Sequence, residues 1–260
     1  MMLRPDGDGV VVAIGQASHA WVSGQLARAW GNERFAAPRP FEEVCLGAEQ
    51  HDIGMAEWDR APARHPDTGL PREFFAMDRR THLALWAAAP GKLLTQSSYA
   101  ALLVSLHGTG LLERFPPQTE GDPELAQALA DHLEGQRRLQ RRLAAEVGAG
   151  DEELRRNQAL LAAWDDLSLA LCRRQTPHEV HAVPVAGDEA ATLTVRETGA
   201  GGHTLDPWPF GAGELTVHAE GRRLAGTFGD EAELHAVLER APLVRLALGL
   251  RPDGACVALG

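Results

Sequence analysis

The sequence predicts a mainly α fold, a helical bundle followed by a small C-terminal α+β appendage. Three observations lead there. Apolar residues recur at helical spacing through residues 16–175. Helix-opening signals such as Ser18, Asp122-Pro123 and Asp151 punctuate that stretch. After Gln175 threonine, valine and glycine rise, and alternation replaces the helical period. The boundary therefore falls between residues 1–175, which include a short strand at Val10–Ile14, and residues 176–260.

Taken in order, the first helix carries His19, Val22, Leu26 and Trp30 behind a Ser18 cap, and Gly31-Asn32 ends it. Phe41, Val44, Cys45 and Ala48 mark a second helix that runs into His51-Asp52, and Gly54 permits a break just after the doublet. Residues 61–75 are proline-rich and read as a loop over a site. A helix over 79–89 carries His82, and one over 97–112 carries His107 among leucines. Asp122-Pro123 opens a helix to about Val147. The last long helix, from Asp151, presents Leu154, Leu161, Asp165, Ser168 and Cys172 on one face. In the final third, residues 193–195, 215–217, 222–224 and 243–248 read as strands, with Glu220-Gly221 as a turn. Asp230 and Glu233 cap a short helix to Arg240.

Hydrophobic residues make up 44% of the 260, so a packed core is possible and disorder is not expected. The formal net charge of −11 lacks the basic footprint of a nucleic-acid polymer's partner. A small anionic substrate held by a few local arginines remains compatible with it. No apolar run approaches membrane-spanning length, so no membrane partner is expected. Three widely separated cysteines, Cys45, Cys172 and Cys256, argue against a disulfide framework, and a cytoplasmic location is expected. Nothing in the sequence specifies an oligomeric state.

The chemistry-bearing residues are His19, His51-Asp52, His82, His107 and Asp165. Imidazole nitrogen and carboxylate oxygen suit borderline and hard divalent ions, and no two histidines are near enough in sequence to chelate locally. Separate helices would have to bring them together. A carboxylate within the apolar stripe of the last helix needs a partner, and a metal is a natural one. Asp165 lies four residues after Leu161 on that face, whereas Asp166 is rotated away by about 100°. Against this stand plainer readings: an exposed helix end for His51-Asp52, a hydrogen-bonded core histidine at His107, and a surface histidine at His82. His132, His178, His181, His203, His218 and His235 read as surface residues. Arg79 and Arg80 precede His82 and are phosphate-binding candidates. Gln16 and Glu49 are candidates to orient the imidazoles. There is no Gly-x-Ser-x-Gly elbow, P-loop or Cys-x-x-Cys pair.

The order His, His-Asp, His, His, Asp resembles the HD-domain superfamily of metal-dependent phosphohydrolases, over roughly residues 10–175. The contexts Glu49-Gln50-His51-Asp52-Ile53-Gly54 and Asp165-Asp166-Leu167-Ser168 resemble that superfamily too. A closer resemblance is to an uncharacterised bacterial family within it. Gln16-x-x-His19-Ala20, His51-Asp52-x-Gly54 and Leu205-Asp206-Pro207-Trp208-Pro209-Phe210 mark it. The resemblance implies an HD-domain-like helical bundle. It also implies a site of one or two divalent transition metals, iron, manganese, zinc or nickel, on His19, His51, Asp52, His82, His107 and Asp165. Asp52 would bridge a metal pair.

The function expected on this basis is hydrolysis of a small phosphate ester or nucleotide, with His51, Asp52 and Arg80 as catalytic residues. Two rivals stand beside it. One is an HD-type oxygenase using two irons in the same frame, since the ligands alone do not separate the chemistries. The other is a metal-stabilised binding or regulatory module.

Overall fold

The computed structural model describes residues 1–187, 189–199 and 201–254. Eight α-helices and seven strands occur among them, in chain order. Strands β1 (Met2–Pro5) and β2 (Val10–Ile14) form a hairpin and lead into α1 (Gln16–Ala29). Then come α2 (Phe41–Gln50), the short α3 (Ala56–Arg60), α4 (Arg79–Ala88) and α5 (Ser98–Arg114). The long helices α6 (Pro123–Val147) and α7 (Asp151–Arg173) follow. The remainder is β3 (His178–Pro184), β4 (Ala190–Gly199), β5 (Gly202–Asp206), β6 (Leu215–Ala225), α8 (Glu231–Arg240) and β7 (Leu243–Pro252).

The expected mainly-α, HD-domain-like bundle with a small appendage is corrected here. The chain is 49% helical and 22% strand, and its strands form one curled half-barrel sheet. The strand order is β1-β2-β6-β7-β5-β4-β3, antiparallel except for β5 beside β7. The N-terminal hairpin joins this sheet through β2 and β6, which pairs residues some 200 positions apart in sequence. Val12, Val22, Val44, Leu103, Leu161, Val195, Val217 and Leu248 all belong to one buried core. The sheet is therefore half of the core and no appendage.

One residue explains much of the difference. Gly221 was expected to turn the chain, yet it lies inside β6. A side chain there would come within 2.6 Å of Val12 Cγ1 and 2.8 Å of the Ala13 carbonyl. The glycine serves a close approach of the neighbouring strand, the other common meaning of glycine in a β segment.

The helical half follows its local signals closely. The side chains of Asp78, Ser97, Asp122 and Asp230 each accept a hydrogen bond from a backbone N–H in the first turn of α4, α5, α6 and α8. The first helix differs. Ser18 lies within α1 and its Oγ accepts from the Glu220 N–H on β6, tying helix to sheet. The N-terminus of α1 is capped from elsewhere: Asp59, on α3, accepts from the Gln16 N–H. Arg4 of β1 donates to the Leu171 and Cys172 carbonyls at 2.7 and 3.0 Å, closing the C-terminal end of α7. Helix α1 packs against α2, α7 and β6 together, so the sheet backs the helices that carry the site. Among the described residues no helix is long and apolar enough to cross a membrane. Cys45 and Cys172 are free and buried, and Cys256 lies outside the described residues.

Replacing Gly221 with alanine is expected to destabilise the fold by about 1–3 kcal/mol, the usual cost of forcing atoms into a packed site. Gly249→Ala in β7, where a Cβ meets nothing within 4 Å, serves as the control and should change little. Urea midpoints of the two variants test the point. Equal midpoints would show that β2 and β6 do not pack as described.

Candidate metal centre

Four buried histidines and two buried aspartates converge from five segments. His19 sits one turn into α1, His51 ends α2, and Asp52 follows it. His82 lies on α4, His107 in the middle of α5, and Asp165 in the middle of α7. The inward stripe expected of the last helix is observed, with Leu154, Leu161, Asp165, Ser168 and Cys172 all buried.

The distances describe a compact cluster. His19 Nε2 is 2.9 Å from Asp52 Oδ2, and His51 Nε2 is 3.3 Å from Asp165 Oδ1 and 3.8 Å from Asp52 Oδ2. His107 Nε2 is 3.4 Å from Asp165 Oδ2. The His51 ring meets those of His19 and His107 edge-on at 5.0 and 4.8 Å. Ligand atoms bound at 2.0–2.2 Å to one ion stand about 3 Å apart, so these separations fit the edges of a coordination shell. His19, His51 and Asp165 each turn one ligand atom to within 4.8 Å of the others, and this trio can hold a metal ion.

The surrounding hydrogen bonds orient the ligands. His51 Nδ1 donates to the Ala48 carbonyl at 2.9 Å, which leaves the Nε2 lone pair facing the cluster. Ser168 Oγ donates to the Asp165 carbonyl at 2.8 Å and so accepts from His19 Nδ1, also at 2.8 Å. The His19 Nε2 lone pair then faces a carboxylate oxygen, an arrangement that calls for a proton or a cation. The Gln16 amide donates to Asp52 Oδ2 at 3.1 Å. Of the two orienting candidates, Gln16 is placed at the site. Glu49 instead pairs with Arg28 on the far side of the doublet.

Of seven buried side-chain nitrogens without a hydrogen-bond partner among the described residues, three belong to this cluster: Nε2 of His51, His82 and His107. Buried polar atoms are rarely left so. Three partnerless imidazole nitrogens beside two buried carboxylates form a donor set that fits a divalent ion.

Electrostatics separate the imidazoles. Burial disfavours a charged His51, but Asp52 and Asp165 outweigh it and raise its pKa to about 9. Burial lowers His82 and His107 to about 4. Burial alone would raise both aspartates, yet the neighbouring histidines, His51 foremost, hold both below the usual carboxylate range.

The cluster opens to a pocket of about 420 Å³. His19, Asp52, His82, His107 and Asp165 face it, and Met55, Phe74, Phe75, Trp86, Leu111 and Phe115 supply apolar wall. Phe74 and Phe75 end the proline-rich segment expected to lie over the site. The structure does not bring Arg80 here. Its guanidinium pairs with Asp122 at 2.7 Å and with Glu124 at 3.4 Å, both on the outer surface. Arg79 lines the pocket instead, together with Arg114. Helical spacing holds the reason. Arg79 and His82 are three residues apart and share a face of α4, whereas Arg80 is turned away. Asp166, the rival of Asp165, is bonded to His178 Nε2 at 2.8 Å with both side chains partly exposed, and of the histidines read as surface residues it is His203 that is buried. The aromatic walls were not anticipated, because α4 and α5 read only as ligand carriers.

A pH dependence follows for the metal-free protein. His51 is raised above its unfolded value of 6.5, so its contribution is full below pH 6.5 and fades as pH rises through about 9. His82 and His107 are depressed, so the unfolded chain takes up protons first as pH falls from 6.5 toward 4, and stability drops there too. Urea midpoints measured in chelator are expected to peak near pH 6.5. Added divalent metal should flatten the alkaline side, because an ion replaces the His51 proton. A chelated protein with a flat profile from pH 5 to 9 would contradict this.

A family model described as "Protein of unknown function (DUF3891)" matches residues 1–226. No curated protein and no solved structure matches the chain. The match corrects the HD-domain resemblance: its span includes β1, β2 and β3 to β6, so the family unit embraces sheet and helices together. The His-Asp order is present, but here it is built on a mixed fold with a seven-stranded sheet. The chain belongs to the DUF3891 family of proteins of unknown function.

Proposed function

We propose that this protein is a metal-dependent hydrolase of a small phosphate ester. The observation that carries the reading is the set of three partnerless imidazole nitrogens beside two buried carboxylates, at the floor of a pocket whose lining includes two arginines. His19, His51 and Asp165 hold a first divalent ion. Asp52, His82 and His107 complete that site or form a second one beside it. Iron, manganese, zinc and nickel all accept this donor set. Such an ion supplies Lewis acidity, lowering the pKa of a water and withdrawing charge from the ester oxygens.

The chain's own residues do the rest. Ala48, Ser168 and Gln16 hold His51, His19 and Asp52 in the orientation that ligation needs, so little reorganisation accompanies binding. His82 and His107 stay neutral near pH 7, the form an imidazole takes when it binds a metal. Arg79 and Arg114 add positive charge to the pocket lining, which favours entry of an anionic substrate. The apolar wall thins bulk water around the reacting group and strengthens each of these electrostatic contacts.

The test is turnover of a panel of phosphate mono- and diesters by protein loaded with manganese, zinc, nickel or iron. Phosphate release is expected from the wild type. Asp165→Asn should abolish it, and Ser168→Ala should lower it by about 10–100-fold, as losses of ligand-orienting groups do. No phosphate release with any metal would overturn the proposal, as would oxygen uptake by the iron-loaded form with no hydrolysis.

A further inference from the structure

The pocket's walls bear on the kind of molecule it accepts. Its volume, about 420 Å³, is that of a small-molecule site and far larger than a phosphate group requires. Its lining changes character with depth. The floor is the ligand cluster. The middle is apolar and largely aromatic, with Trp86 tilted by 49° against His82 at 4.1 Å between ring centres. The rim carries Phe75 and Phe115, two of the most exposed large apolar side chains, at 47% and 63%.

Two cations stand at that rim. Arg79 opens α4 and Arg114 ends α5, and both are exposed. Neither forms an ion pair with a carboxylate among the described residues. Their neighbours do: Arg80 takes Asp122, Arg137 takes Glu113, and Arg173 approaches Glu73. Many arginines of this chain lack a carboxylate partner among the described residues, but Arg79 and Arg114 are the ones that line this pocket. The α5 helix also provides a ruler. His107 faces the floor and Arg114 the rim, seven residues later, or about 10 Å along the axis at 1.5 Å per residue. Leu111 faces the pocket between them.

We infer that the substrate is an elongated anionic amphiphile: an aromatic-sized apolar body, with the reacting phosphate at the cluster and a second anionic group at the Arg114–Arg79 rim. The body packs among Trp86, Phe75 and Phe115, whose apolar surface suits a flat ring. The distal anion, about 10 Å from the floor, takes the planar guanidinium forks. Arg114 is a specificity-determining residue on this reading, because it is too far along α5 to touch the reacting group. The inference rests on the hydrolase reading for the identity of the reacting group, and on the pocket alone for the body and the distal anion.

The experiment separates the two. Binding of methylphosphonate, phenylphosphonate and 4-carboxyphenylphosphonate to manganese-loaded wild type is measured by calorimetry, since none of these can be hydrolysed. Affinity should rise in that order, by about tenfold or more at each step. Arg114→Gln should remove the gain of the carboxylate and leave phenylphosphonate unchanged within about twofold. Trp86→Ala should weaken both aryl probes and spare methylphosphonate. Equal affinity for all three probes would overturn the inference, as would an Arg114→Gln variant that weakens them uniformly, or no binding by any. Turnover of 4-carboxyphenyl phosphate and of glycerol phosphate then judges the hydrolase reading separately. The expected affinity order without turnover sinks the hydrolase and keeps the pocket assignment. Equal turnover of both esters keeps the hydrolase and sinks the assignment.

Discussion

Two carboxylates buried beside each other's imidazoles are the constraint around which the helical half is arranged. Asp52 and Asp165 are 7% exposed, and a buried carboxylate without a compensating charge is strongly unfavourable. The chain surrounds them with His19, His51 and His107 from three helices, leaving several imidazole lone pairs with nothing to bind. A proton on His51 relieves part of this imbalance. A divalent ion on His19, His51 and Asp165 would relieve more of it, because it would engage carboxylate and imidazole nitrogens together. Metal affinity and fold stability are therefore expected to be one quantity measured in two ways.

The sheet explains how helices so different in length hold ligands at fixed separations. Helix α1 carries His19 and is pinned twice within its first turn, by Asp59 on the Gln16 N–H and by Ser18 to β6. Helix α7 carries Asp165 and is held at its C-terminus by Arg4 of β1. Close helix contact does the remainder. A Cβ on Gly24 of α1 would lie 2.6 Å from Glu49 Cβ on α2, so only glycine lets these helices approach as they do. That approach sets the distance between His19 and the His51-Asp52 doublet. The pocket is the space left over between α4, α5 and α7, lined by residues whose neighbours are committed to structure.

Much of the site was legible because its signals are local. Asp122 and Asp230 read as caps and do open α6 and α8, whereas Ser18 and Asp151 lie inside their helices, and a carboxylate in an apolar stripe announces a buried polar partner. Asp165 could be separated from Asp166 by a rotation of about 100°, and the two do face different partners. The same geometry was available for Arg79 over Arg80, since three residues from His82 is one face and two residues is not. The sheet was not legible for a different reason. Its decisive pairing joins Val10–Ile14 to residues 221–225, and no periodicity within either segment reveals such a partner. Gly221 carries both a turn reading and a close-approach reading, and only the neighbouring strand chooses between them. The family resemblance failed on the same ground: an ordered set of ligands travels with a site, and a site does not specify the fold beneath it.

Metal content tests this most directly. The wild-type protein, purified without chelator and without affinity tags that bind metal, is subjected to elemental analysis beside Asp165→Asn, with urea midpoints recorded for both. One or more equivalents of divalent transition metal should accompany the wild type, and chelation should lower its midpoint. The Asp165→Asn protein should hold much less metal, and chelation should then change its midpoint little. A wild-type protein that carries no metal, takes up none from solution and unfolds at the same urea concentration with or without chelator would contradict the claim that these ligands are built around an ion.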